Sequence, residues 1–125
     1  MMWKLAYLAI GGITGTFARY FLSGVIYRFT GTDFPYGTLV INLTGCFLIG
    51  IFATLSDERL ILGPDMRVML MAGFCGAFTT FSTFMLETGN LVKDAEWLRA
   101  FGNVFLSVVA GFFLFRLGVW LGKVI

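Results

Sequence analysis

Apolar residues do not alternate or recur as a narrow stripe along this chain; they run in four long blocks separated by short polar connectors. The blocks span residues 3–29, 36–55, 66–91 and 97–121. Each reaches the ~20 mostly apolar residues that a helix needs to cross a bilayer. The connectors, TGTDFPYG, SDERLILGPD and VKDAE, hold the Gly, Pro and acidic residues that stop or start helices. The pattern predicts an all-α membrane protein of one domain, residues 1–125, with four transmembrane helices. An even number of crossings places both termini on one side of the membrane.

Composition agrees: 58% of the 125 residues are hydrophobic and only 13% are charged, too few for the surface of a soluble domain. Lys4 ahead of an apolar run has the look of a signal sequence, but the run continues through Gly15 and Arg19 without a cleavage site, so it is expected to stay in the mature protein. A net charge of +2 is too small to suggest a nucleic-acid partner. The chain has no His and two Cys, Cys46 and Cys75, both inside apolar runs. They are expected to be small buried hydrophobes, and zinc chemistry is excluded. With no His, no carboxylate pair and no nucleophile–base set, an enzyme is not expected.

Orientation is weakly encoded. Lys4, Arg59, Arg67, Arg116 and Lys123 fall on the terminal face, Arg28, Lys93 and Arg99 on the other. So slight a bias is compatible with insertion both ways, hence an antiparallel dimer, and equally with one orientation that keeps the termini in the cytoplasm. Four helices fill their own centre with side chains, so a transport path would need a second copy. Gly11-xxx-Gly15 and Gly118-xxx-Gly122 are small-residue contact motifs that suit either a dimer interface or packing within one chain.

Polar groups at membrane depth are costly and mark partners or cavities. Arg19 lies deep in the first span, on the stripe of Gly11, Gly12 and Gly15; it is expected to attract an anion or anchor a polar network. Asn42, Cys46 and Gly50 share one face of the second span, and Asn103, Ser107 and Gly111 repeat that spacing in the fourth. Two such stripes suggest a shared polar path. The third span carries GFCGAFTTFSTF, Gly73–Phe84. Gly73, Gly76 and Ala77 remove side chains, and Thr79, Thr80, Ser82 and Thr83 can bond back to the backbone, so the helix is expected to break near mid-membrane. A break frees carbonyls, hard oxygen ligands for a small cation, and is tolerated only where they are buried in protein or line a cavity. Phe81 and Phe84, spaced i, i+3, offer positive ring edges to an anion.

Four stretches, GGITGTFARY, FPYGTLVINLTGCFLIG, GFCGAFTTFSTF and NVFLSVVAG, resemble in order and spacing the fluoride channel family known as Fluc or CrcB, over essentially the whole length. The resemblance implies a dual-topology homodimer of antiparallel subunits in the cell membrane, with two pores that let fluoride leave the cell passively and exclude chloride. It implies a structural sodium ion at the dimer centre, held by the backbone carbonyls of Gly76 and Thr79. It further places Asn42, Phe81, Phe84, Ser82, Thr83 and Ser107 on the fluoride path, with Arg19 as the buried arginine. Ala77 departs from the double glycine of many members and would strain the ion site if positive φ were needed there. Gly111 stands where some members carry a hydroxyl. The rival reading is a small dual-topology multidrug or cation exporter, for which Glu87, expected at the interface, is the one candidate carboxylate. A non-transporting assembly protein would leave Arg19, Asn42 and the break without purpose.

Overall fold

The computed structural model describes residues 1–125 and is entirely helical. Helix α1 runs Met2–Thr30 and stops at Gly31, whose φ of 73° ends the helical path. Helix α2, Tyr36–Asp57, begins directly after Pro35, where a missing N–H costs nothing. The third span starts with Pro64 at its first position. Its first half, α3, comprises Pro64–Arg67, a π-helical run Val68–Cys75 and a return to α geometry over Gly76–Phe78. Its second half, α4, is Phe81–Lys93, and the last span, α5, is Trp97–Val124. All four spans are long and apolar enough to cross a membrane. Only 21 of the 125 residues are buried, and many large apolar side chains, Phe17, Phe101 and Phe113 among them, are exposed. Such a surface suits lipid, and the chain is a multi-pass membrane protein.

Glycines set the packing. A β-carbon at Gly11 would collide with the Met69 carbonyl oxygen and one at Gly15 with that of Phe74, while one at Gly73 would lie 2.9 Å from the Leu8 oxygen. These residues press α1 backbone to backbone against α3. In the same way Gly118 meets the Phe47 carbonyl, Gly50 that of Phe115, and Gly122 the Thr54 side chain, which closes α2 on α5. Both GxxxG motifs are therefore spent within the chain, which decides between the two uses the sequence left open. Helices α2 and α5 run parallel; the Thr54 hydroxyl spans them, donating to the Val119 oxygen at 3.5 Å.

The third span does bend, but not because of its glycines. Gly73 and Gly76 are helical, and Gly76 has φ −62°. Ala77 lies in regular α geometry, and the non-glycine residues with positive φ are Leu60 and Ala95, both in connectors. The expected strain at Ala77 therefore does not arise. The chain instead straightens at Thr79 (φ −84°, ψ 159°) and Thr80 (φ −149°, ψ 117°). Each hydroxyl serves one side of the break. Thr79 Oγ1 donates to the Cys75 carbonyl (2.8 Å) and closes α3, while Thr80 Oγ1 accepts from Thr83 N–H (3.2 Å) and caps α4. The π-helical stretch before it is long for a geometry found mostly as single turns, often at functional sites.

Charged connectors hold the terminal face together. Arg59 donates to the carbonyls of Lys123 (2.8 Å) and Ile125 (3.3 Å), capping α5, and Arg67 pairs with Asp57.

Candidate functional site

A break at membrane depth strands backbone groups that must find partners. Asn42, from α2, supplies two. Its Nδ2 donates to the Thr80 carbonyl (3.0 Å) and its Oδ1 accepts from Thr80 N–H (2.8 Å), so one carboxamide satisfies both backbone groups of the residue at the bend. The second Nδ2 hydrogen is left for another acceptor. Arg19, from α1, supplies a third: its Nε donates to the Ala77 carbonyl at 3.0 Å, placing a cation at the negative end of α3. Of the two roles open to Arg19, anchoring the polar network is the one the geometry realises directly. The carbonyls of Gly76 and Thr79 accept no hydrogen bond from the chain. Gly76 is exposed.

Two cavities flank the bend, and Thr80 lines both. One, of about 410 Å³, is walled by Asn42, Cys46, Thr79, Phe81, Phe84 and Ser107. The other, of about 740 Å³, is walled by Arg19, Ser23, Thr38, Thr83 and Glu87 on its polar side. The residues singled out in sequence are thus gathered around one break but divided between its two sides. Ser82 lies on neither wall and is exposed.

The smaller cavity has unspent donors. Ser107 Oγ is buried without any partner. Elsewhere in the spans the threonine hydroxyls of positions 14, 44, 54, 79 and 88 bond the carbonyl one turn back. Ser107 makes no such bond. Below it, Asn103, 1% exposed, donates to Thr88 Oγ1 at 3.0 Å and ties α5 to α4. The two phenylalanines touch, with ring centroids 5.8 Å apart and planes at 60°, an edge-to-face pair. Their surroundings differ: Phe84 is 5% exposed and Phe81 73%.

Three features escaped the sequence. Cys46 is half-buried on the cavity wall, where a buried hydrophobe was expected; Cys75, at the edge of the same wall, is buried as expected, and both are free thiols. Thr38 donates to Glu87 Oε1 at 2.8 Å, while Glu87 Oε2 is buried without a partner. Glu87 therefore lines a cavity wall between helices and, with Asp33 and Asp94 of the connectors, a second one. The Thr80 backbone, the pivot of the site, carries no residue-type signal at all.

The family described as "CrcB-like protein, Camphor Resistance (CrcB)" matches residues 6–119. The chain belongs to the CrcB family. Among its curated relatives, the protein named fluoride-specific ion channel FluC of Solidesulfovibrio magneticus is 44% identical over 125 residues, the whole of both chains. Its namesake in Desulforapulum autotrophicum is 43% identical over 98% of each chain. That of Maridesulfovibrio salexigens is 43% identical over 99% of this chain and 98% of its own. These relatives are thus named as ion channels, a non-enzymatic class.

Proposed function

We propose that this CrcB protein is a fluoride-selective passive channel of the cell membrane that lets fluoride leave the cytoplasm and so protects against its toxicity. The observation that carries the reading is the buried Ser107 hydroxyl without a partner, in a cavity shared with Asn42 and the Phe81–Phe84 pair. Fluoride is small and strongly hydrated, so a pore must replace its water with donors. Asn42 has a free Nδ2 hydrogen, Ser107 a free hydroxyl, and the rings a positive edge. All are neutral and individually weak, and conduction requires sites that bind and release. Thr83 extends the donor set on the far side of the break, and Ser82, exposed, would reach the path only from a surface covered by a second copy.

The channel works as an antiparallel homodimer with two pores. In support, the cavity wall ends in Phe81, which is 73% exposed, so one copy supplies only part of a closed path. The acceptor-free carbonyls of Gly76 and Thr79 suit a sodium ion shared between two copies. When bound there, sodium would supply fixed positive charge that joins the two bent helices. Arg19 and Asn42 hold the carbonyls of Ala77 and Thr80 on either side and so leave those of Gly76 and Thr79 available.

The test is ion efflux from liposomes holding the purified protein, followed in parallel with fluoride and chloride electrodes. Fast fluoride loss without chloride loss, and without a proton gradient, is expected; no fluoride loss from folded protein would remove the channel reading. Phe81→Ile and Phe84→Ile should each slow fluoride efflux by about tenfold or more, from the loss of ring-edge interactions, while the dimer persists on gel filtration. Unchanged flux in both variants would exclude the rings from the mechanism.

A further inference from the structure

Helices α2 and α5 keep a constant register, visible in the Thr54–Val119 bond, with residue i of α2 beside residue i + 65 of α5. That register stacks the wall of the smaller cavity in layers one helical turn apart, about 6 Å each. Continued, the register sets Asn42 level with Ser107, both on the cavity wall, and the next layer pairs Cys46 with Gly111. Gly111 is buried and has no side chain to offer. The space its side chain would fill is occupied from across the interface: a β-carbon at Gly111 would lie 3.3 Å from Cys46 Sγ. Beyond this layer Gly50 and Gly118 bring the two backbones into contact and seal the interface.

We propose that the Cys46 thiol is a further donor of the permeation path, standing in the layer above Asn42 and Ser107 for the side chain that Gly111 lacks. The inference rests on the fluoride-channel reading. Three observations meet at this residue. Cys46 lines the same cavity as Asn42, Ser107 and the phenylalanines. The neighbouring donor, Ser107 Oγ, is buried and has no hydrogen-bond partner. Cys75, the other thiol, also borders this cavity but is 2% exposed, so of the two thiols Cys46 is the more accessible. An S–H group is a weak, polarisable donor. Weak donors in series are what a conducting path needs, since each must pass the ion to the next.

The experiment moves the donor from one helix to the other and reads fluoride efflux from liposomes. Cys46→Ser keeps a donor and should conduct close to wild type. Cys46→Ala should slow efflux by roughly fivefold, the loss of one weak hydrogen bond. In the alanine background Gly111 has room for a side chain, and the double variant Cys46→Ala, Gly111→Ser should recover the flux. Its partner Cys46→Ala, Gly111→Ala refills the volume without a donor and should not. Full flux in Cys46→Ala, or equal recovery by serine and alanine at 111, would overturn the proposal and assign Cys46 to packing, with the channel reading intact. Absence of fluoride efflux from folded wild-type protein would instead bring down the channel reading and this inference with it.

Discussion

Asn42→Asp is expected to stop fluoride efflux from a protein that still folds, a loss of at least about a hundredfold. The substitution changes almost no volume, so its effect isolates chemistry. Aspartate can still accept from Thr80 N–H, but it has no donor for the Thr80 carbonyl, which Asn42 Nδ2 holds at 3.0 Å. The carboxylate then faces that carbonyl oxygen across the same gap. A buried acceptor left without its partner costs about 1–3 kcal/mol. The new charge adds more: an anion 4 Å away meets a repulsion of about 4 kcal/mol at the effective dielectric of a protein surface. Since ~1.4 kcal/mol is a factor of ten, the repulsion alone exceeds a hundredfold, while the unpartnered carbonyl loosens the bend that shapes the path. Efflux measured with a fluoride electrode, beside gel filtration of the same sample, checks the outcome. Flux within a few-fold of wild type would place Asn42 off the path and leave it only the task of holding the bend.

The same residue shows how far the sequence can be read. An asparagine inside an apolar helix announces a polar partner, but the partner is the backbone of Thr80, 38 residues away, and backbone groups have no signature. The four helices were legible because a bilayer demands long apolar runs and the connectors carry Gly31, Pro35 and Pro64. The bend was legible from its hydroxyls, since Thr79 and Thr80 each bond to the local backbone. Its glycines misled. Glycine serves both backbone freedom and close helix approach, and only the position of Gly73 against Leu8 and Gly11 selects the second. Phe81 and Phe84 read alike at i, i+3, yet one is exposed and the other buried, because the neighbouring helices decide burial. Glu87 was legible as the lone carboxylate of the third span, but its bond from Thr38, 49 residues earlier, was not.

Gly118→Ala and Gly102→Ala add the same methyl group to the same helix and should have opposite consequences. At Gly102 a β-carbon would meet nothing within 4 Å. Alanine there should be neutral or slightly stabilising, since it favours helix over glycine by up to ~1 kcal/mol. At Gly118 the β-carbon would collide with the Phe47 carbonyl oxygen and lie 3.2 Å from the Ile51 nitrogen, rigid backbone that cannot rotate aside as a side chain could. Relief requires α2 and α5 to separate. Overpacking of this kind costs about 3 kcal/mol, and association of membrane helices depends on close contact between small residues. A fall in thermal midpoint on the order of 10 °C is therefore expected for Gly118→Ala in detergent, with none for Gly102→Ala. The effect reaches the site because α2 carries Asn42 and Cys46 while α5 carries Ser107 and Gly111. Parting the helices at Gly118 widens the layer just below it, so whatever folded Gly118→Ala protein is recovered should also conduct fluoride more slowly. A midpoint and flux both equal to wild type would mean that the α2–α5 contact does not set the geometry of the path. The register that joins Asn42 to Ser107 and Cys46 to Gly111 would then have to be maintained from elsewhere, through the bend at Thr80 and the Asn103–Thr88 bond.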